Sequence, residues 1–213
     1  MASPLKRDQI PQKQAEYWRR NFADEQKGIL NLIIPQILLQ KDTYKKLAGE
    51  NENRLRIYLG LEPEQTDGKY ILCAYGVSAF LLGSGDVYID YEIPVYKLGV
   101  VNEIYSDKTK LVIDSIRNYR KWRLGELDAE HPSAPFRKFI FPNAYLLTKY
   151  ELHEIFNVQN RAVAQIEFGV SKTMHILISP EVKENRAYDD ENEVFNYGVL
   201  CPPICDEGSI YNS

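Results

Sequence analysis

The chain has 213 residues, of which 44% are apolar and 26% are charged, and its formal net charge at pH 7 is -4. This composition is typical of a soluble globular protein with one substantial domain or two small ones. The acidic balance argues against a dedicated nucleic-acid binder, and the longest apolar run, 28–39, is shorter than the roughly 20 residues that span a membrane.

The cysteine content indicates a compartment. The chain has three cysteines, an odd number, and residues 1–22 contain no apolar signal segment. Exported proteins that depend on disulfides usually show both an even set of cysteines and such a segment. We therefore expect a cytoplasmic protein.

The N-terminal region predicts an amphipathic helix. Ala15, Trp18 and Phe22 recur at spacings of three and four residues, which places them on one face of a helix over 10–26. Residues 1–10 are polar and indicate a loose arm before this helix.

A break and a second helix follow. Pro35 interrupts the apolar run, so we expect a short extended piece or a turn there. Residues 41–48 then predict a short helix, and Gly49 favours its termination because glycine readily adopts the left-handed conformation.

Residues 55–59 alternate between apolar and polar side chains, which predicts a half-buried strand. Its apolar residues would face the core, while Arg56 and Tyr58 would face outward. Residues 69–82 predict a longer strand with a bulge at Gly76. The glycine-rich turn after it predicts a hairpin to a third strand over 87–92.

The second half predicts similar elements. Residues 106–122 predict a helix, and the alternating segments 161–168 and 173–179 predict two strands. The last region, 181–213, is acidic and closes the chain.

The order of features in the stretch 39–72 recurs in 147–177. Each stretch predicts a short helix followed by a strand, and that strand ends in Gly60 in one copy and in Gly169 in the other. We therefore predict an α+β fold of two tandem units, each with two helices and antiparallel strands. The units would share one core, related by a pseudo-twofold axis. Their boundaries are 1–95 and 96–180, with the acidic segment 181–213 after them.

The outward faces of the two matching strands form the first candidate site. Arg56 and Tyr58 lie on one of these faces, and Gln165 and Glu167 lie on the other. On a sheet covered on one side, these residues would meet a ligand or a partner. If the units pair about a twofold axis, Arg56 and Glu167 approach each other. The alternative is a solvated face with a weak surface ion pair.

The second candidate site is the sequence Cys201-Pro-Pro-Ile-Cys205. Two thiols at this spacing can ligate zinc or form a redox pair. Zinc normally needs four ligands, so Cys73 and His175 would have to complete the set, although their strand positions point to opposite faces. The alternative is a C-terminal clasp in which the cysteines are buried as small apolar side chains. We predict no cofactor, with zinc as the alternative.

One loop holds the third candidate site. Asp128, Glu130 and His131 lie close together there and can bind a metal or transfer protons. Three polar residues before a proline are also typical of a plain solvated loop. No Ser-His-Asp pattern and no phosphate-binding loop occurs in the sequence.

The chain also resembles a set of small Bacteroidetes proteins. Their pattern is a helix with Ala-x-x-Trp, an Arg-Ile-Tyr-x-Gly strand, a hairpin and a terminal Cys-Pro-Pro-x-Cys. Matching parts occur here in the same order at 15–18, 56–60, 70–91 and 201–205. The second unit, inserted before the cysteine tail, departs from that pattern. The resemblance implies no activity.

The absence of a catalytic pattern, the 15 tyrosines and the repeated scaffold together favour a non-enzymatic binding or protein-interaction module. The alternative is a thiol-redox or zinc protein that uses Cys201 and Cys205. The partner is left open between a protein, a small molecule and a second copy of the chain. We expect neither nucleic acid nor a membrane as partner.

Overall fold

Strand alternation in both halves of the chain produces two antiparallel sheets, and the fold is α+β. The computed structural model describes residues 5–28, 32–49, 53–64, 69–83, 87–127, 139–147, 149–180, 193–196, 198–202 and 205–212. Elements are numbered here in chain order within those residues.

The first sheet, sheet A, contains the two strands predicted over 161–168 and 173–179. In order across the sheet, its strands are β1 (Gln9–Ile10), β11 (Val194–Phe195), β10 (Met174–Pro180), β9 (Val163–Val170) and β3 (Ile37–Gln40).

The second sheet, sheet B, contains the long strands of the first half. In order, its strands are β12 (Gly198–Cys201), β8 (Ala144–Leu147), β4 (Arg54–Pro63), β5 (Tyr70–Leu81), β6 (Tyr88–Leu98) and β7 (Glu103–Ile104). The short strand β2 (Leu32–Ile33) runs parallel to the start of β5.

Two of the four described helices cover the outer faces of the two sheets, and the other two contribute side chains to the main core. The helices are α1 (Gln12–Gly28), α2 (Lys41–Ala48), α3 (Thr109–Leu124) and α4 (Lys149–His153), and α4 continues as one π-helical turn, Glu154–Val158. Helix α1 lies on β9 of sheet A, and α3 lies on β4 of sheet B. The main core lies between the sheets and joins apolar residues of both.

Each sheet contains a strand from the other half of the chain. Strand β3, which belongs to the first half, pairs with β9 in sheet A. Strand β8, which belongs to the second half, pairs with β4 in sheet B. The two halves are therefore interleaved and cannot be separated without breaking both sheets.

Several predicted elements are confirmed. The short helix over 41–48 is α2, and Gly49 follows it with a φ of 61°. The bulge predicted at Gly76 coincides with a register shift between Gly76 and Ser78. The acidic C-terminal region contributes one short strand to each sheet, β11 to sheet A and β12 to sheet B.

Two glycines allow helices to approach the strands closely. A Cβ atom on Gly169 would lie 2.7 Å from the Cβ of Trp18 in α1. A Cβ atom on Gly60 would clash with Ser115 in α3. Glycine is required at both positions because a backbone passes directly over each of them.

We predict that Gly169→Ala lowers the free energy of unfolding by about 1–3 kcal/mol, the usual cost of overpacking. The added methyl would force α1 away from β9, since Trp18 Cβ is a rigid part of its side chain. Urea unfolding measures the effect. Gly99→Ala is the matched control, because the nearest atom to its new methyl would lie at an ordinary 3.6 Å. Equal stability of the two variants would contradict this account of Gly169.

Candidate functional site

The predicted outward face of β4 is covered. Arg56 and Tyr58 are each 0% exposed, so the prediction that they lie on an open face that meets a ligand or a partner is wrong. Helix α3 and the C-terminal residues pack over that side of sheet B. Alternation along a strand shows which residues share a face, but it does not show whether other parts of the chain cover that face.

Under this cover lies a buried ion pair. Arg56 Nη1 lies 3.1 Å from Asp90 Oδ1, and both side chains are fully buried. Arg56 Nη2 donates to the carbonyl oxygen of Tyr88, and the Tyr58 hydroxyl donates to Asp90 Oδ2. Burial raises the pKa of Asp90, and the Arg56 guanidinium opposes that rise. The ion pair and the Tyr58 hydrogen bond together link β4 to β6 inside the protein.

Residues 205–212, which we name the C-terminal clasp, cover the ion pair. The Asp90 amide donates to Asp206 Oδ2 at 2.8 Å. The Ile210 amide donates to Glu92 Oε1, and the Tyr211 hydroxyl donates to the Glu92 carbonyl oxygen. The clasp therefore docks on β6 through backbone as well as side-chain groups.

Cys201 and Cys205 are joined by a disulfide at the start of the clasp, with their Cα atoms 4.9 Å apart. Cys201 is fully buried, and Cys73 is a free, buried thiol. Burial, aided by the Glu62 carboxylate, raises the pKa of Cys73 to about 11. Cys73 is therefore protonated at neutral pH and is a poor nucleophile.

The zinc set considered from the sequence is not assembled. Cys73 lies in β5 of sheet B, whereas His175 lies in β10 of sheet A. Within the described ranges, no group of three or more His, Cys, Asp or Glu residues is placed to hold a metal ion.

Gln165 and Glu167 lie on the outer side of sheet A, and both are partly exposed. Glu167 Oε2 accepts from Arg19 of α1 at 2.6 Å. Arg56 forms its ion pair with Asp90, so the approach of Arg56 and Glu167 expected from a twofold axis is not the arrangement found. The loop containing Asp128, Glu130 and His131 lies outside the described residues.

A concave site that the sequence did not predict lies at the end of the β5–β6 hairpin. We name it the cationic cleft, and its volume is about 780 Å³. Most of its lining side chains are either basic or aromatic. The lining residues are Arg7, Asn53, Arg54, Ala79, Phe80, Leu81, Tyr88, Tyr91, Lys149, Tyr150 and His153.

Two cation–π contacts and a stacked ring pair form its walls. The guanidinium of Arg54 lies 4.3 Å from the centre of the Tyr88 ring, and that of Arg7 lies 5.8 Å from the Tyr150 ring. Phe80 stacks on Tyr91 at 4.4 Å. Stacking on an aromatic ring occupies one face of a guanidinium but leaves its N–H edges able to bind an anion.

The described lining of the cleft contains side chains with positive charge only. No carboxylate occurs among the described lining residues. Asp8, outside the lining, lies 3.6 Å from Arg7 Nε and partly offsets that charge. Arg54 forms no ion pair with any carboxylate in the described part of the chain. The described lining residues thus include basic but no acidic side chains, on a chain with a net charge of -4.

Ser171 lines a second, smaller cleft, and its hydroxyl lies beside a histidine. Ser171 Oγ lies 2.7 Å from His175 Nε2, Trp18 stacks on the His175 ring at 4.3 Å, and burial lowers the pKa of His175. A neutral imidazole can accept a proton from a serine. However, the Ser171 amide already donates to the Thr173 carbonyl oxygen, so it does not provide an oxyanion site.

These two clefts differ in how far the sequence could reveal them. Ser171 and His175 flank the turn between β9 and β10, so the spacing Ser-x-x-x-His across a predicted turn was a readable signal. The cationic cleft gave no such signal, since Arg7, Arg54 and Lys149 are far apart in the sequence. Extending the alternation of residues 55–59 by one residue places Arg54 on the same side as Arg56, which does not indicate a cleft.

No protein-family model, curated protein or solved structure matches the chain. Among the helices described here, none is long and apolar enough to cross a membrane.

We predict that Arg56→Met lowers the free energy of unfolding by about 3–5 kcal/mol, because it leaves the Asp90 carboxylate buried without its partner. Replacing the whole polar group in Arg56→Met/Tyr58→Phe/Asp90→Leu should recover at least half of that loss. Urea unfolding with comparison of midpoints and slopes measures both. Arg20→Met, at an exposed position of α1, should change stability by less than about 0.5 kcal/mol. A triple variant less stable than Arg56→Met would contradict the prediction.

Proposed function

We propose that the protein is a non-enzymatic binding module whose ligand site is the cationic cleft. One observation carries this proposal: a cleft of about 780 Å³ gathers basic and aromatic side chains without a carboxylate in its described lining. Small-molecule sites are usually concave, in the range of roughly 300–1,000 Å³, with apolar walls and a few polar groups.

The nucleophiles described above support binding more than catalysis. Cys73 is kept protonated by burial. Ser171 has a histidine partner, but its own amide is committed to the turn. Neither residue lines the cationic cleft. A ligand held there would meet cations and rings, which recognise it without reacting.

We expect ligand-observed NMR with a library of small fragments to find compounds that bind the wild-type protein. Binding should be lost in Arg54→Gln/Tyr91→Ser, because these changes remove a cation and an exposed ring from the cleft without touching the core. Lys110→Gln/Tyr17→Ser is the matched control, with both changes at exposed positions outside the cleft.

The same NMR spectra test whether the protein binds its ligand without converting it. Unchanged fragment signals over several hours are expected. Steady conversion of a bound fragment into product would overturn the claim that the protein is non-enzymatic. A library in which nothing binds would overturn the claim that the cleft is a ligand site.

We propose thiol–disulfide chemistry at Cys201 and Cys205 as a second candidate function. The observation that favours it is the short bridge at the start of the clasp. A dithiol reductant would supply two electrons and two protons, convert the bridge to two thiols and become a cyclic disulfide itself. The bridge fixes the direction in which the chain leaves β12, so its reduction would loosen the clasp.

We expect reduction by dithiothreitol to speed hydrogen exchange in the clasp and at Asp90, whose amide donates to Asp206. Cys205→Ser should give the same result without reductant, while the β9–β10 hairpin should not change. Cys73→Ser is the control and should exchange like the wild type. Exchange in the clasp that is insensitive to both treatments would exclude this function. Zinc bound in stoichiometric amount to untagged, reduced protein would favour the metal alternative instead.

We also infer that the chain consists of two tandem units related by a pseudo-twofold axis. The reciprocal pairing of β3 with β9 and of β8 with β4 supports this inference. So do Gly60 and Gly169, each of which lies under the long helix of the opposite unit. An experimental structure with β3 beside β4 would refute it. The resemblance to small Bacteroidetes proteins, the cytoplasmic location and a second copy as partner stay predictions.

A further inference from the structure

We propose that the protein forms a symmetric dimer through the outer end of the β5–β6 hairpin. The contact surface lies on the face of sheet B opposite to Arg54, Asp90 and the C-terminal clasp. The proposal concerns a partner, and it does not depend on whether the cationic cleft binds a ligand.

The contact surface is a row of apolar side chains on one face of the hairpin. Phe80 pairs with Ile89, and its ring stacks on that of Tyr91 at 4.4 Å, so these three residues share a face. Side chains alternate between the two faces along a strand, which adds every second residue to the same row. The amide of Leu82 donates to the carbonyl oxygen of Val87, which continues the pairing to the start of the hairpin turn. We name this row the apolar strip, and its members are Phe80, Leu82, Val87, Ile89, Tyr91 and Ile93.

The strip continues a face that is buried elsewhere in sheet B. Further along the same strands, Ala74 pairs with Leu98, and both belong to the main core between the sheets. None of the six strip residues belongs to that core. Four of them are exposed, with exposed fractions between 48% and 66%, namely Leu82, Val87, Tyr91 and Ile93. The hairpin thus extends past the main core and presents an apolar sheet face to solvent.

The area of the strip is sufficient for a weak dimer. Six partly exposed apolar side chains present on the order of 500 Å², and contiguous apolar patches of this size are often functional. Two strips packed face to face would bury on the order of 1,000 Å² in total, which is the lower limit for a specific interface. We therefore expect a dimer that forms at micromolar concentrations.

A second copy of the chain matches the strip because the strip carries no charge. A twofold axis brings the same patch of both copies into contact, so charged residues near the axis would meet like charges. No Asp, Glu, Lys or Arg occurs among the six strip residues. Two apolar sheet faces can pack on each other as they do in a β-sandwich. A lipid surface fits less well, since membrane-bound surfaces combine apolar side chains with Lys and Arg.

Ile93→Glu tests the strip without altering the cationic cleft, because Ile93 is outside the cleft lining. Sedimentation equilibrium of the full-length wild-type protein should show a monomer–dimer equilibrium in the micromolar range. Ile93→Glu should weaken dimerisation at least about 10-fold, because the dimer would bury a carboxylate without a partner. Leu111→Glu, at an exposed apolar position of α3, is the matched control and should dimerise like the wild type. Circular dichroism confirms that each variant is folded.

Photocrosslinking locates the contact in a chain that keeps an aromatic side chain in the strip. p-Benzoylphenylalanine placed at Tyr91 should crosslink two copies of the chain on irradiation, whereas the same group placed at Leu111 should not. Mass spectrometry of the crosslinked peptides should map both ends of the link to residues 80–93.

A wild-type protein that remains monomeric throughout the micromolar range would overturn the proposal. So would a dimer that Ile93→Glu leaves intact, because its contact would lie elsewhere. Association beyond the dimer would also contradict it, since a twofold contact is closed. Flotation of a monomeric protein with phosphatidylcholine vesicles would assign the strip to a lipid surface instead. None of these results decides whether fragments bind the cationic cleft, so the proposed function is tested separately.

Discussion

The ion pair between Arg56 and Asp90 links two strands that are not neighbours. Arg56 belongs to β4 and Asp90 to β6, and β5 lies between them. The pair is fully buried, and Arg56 Nε finds no hydrogen-bond partner among the described residues. Such a group costs desolvation energy and stabilises the fold only while both charges are present. It therefore requires that the face of sheet B remain covered, and α3 and the C-terminal clasp provide that cover.

The same pair determines one wall of the cationic cleft. The carbonyl oxygen of Tyr88 accepts from Arg56, while the Tyr88 ring lies against Arg54. Arg54 and Arg56 are two residues apart on one side of β4, but their surroundings differ. Arg56 lies under cover with a carboxylate, whereas Arg54 lies at the start of the strand and pairs with no carboxylate among the residues that the structure describes. One residue, Tyr88, thus connects the stabilising arginine to the arginine that faces the cleft.

Local structure could be predicted from the sequence where one short segment determines it. The bounds of α2, its termination at Gly49 and the irregularity at Gly76 all follow from a few neighbouring residues. The sides of β4 were also assigned correctly, since Arg56 and Tyr58 do share a face. Their exposure was not predictable, because a clasp about 150 residues further along the chain covers them. The cleft was missed for the same reason, as its residues come from four separate segments.

The arrangement of strands explains why pattern matching within each half reached the α+β class but misplaced the contacts between halves. Matching stretches suggested two units side by side, with Arg56 facing Glu167. In the fold, each half instead gives one short strand to the sheet of the other, and each long helix lies on the opposite half's hairpin. The outer faces of the two sheets are then covered in different ways, because α1 packs on one, while α3 and the clasp pack on the other. Arg19 reaches Glu167 across the first interface, whereas Asp90 reaches Arg56 beneath the second. The matched positions of the two stretches therefore lie in different electrostatic surroundings. Arg54 lies at the start of β4, where it has no carboxylate partner in the described part of the chain.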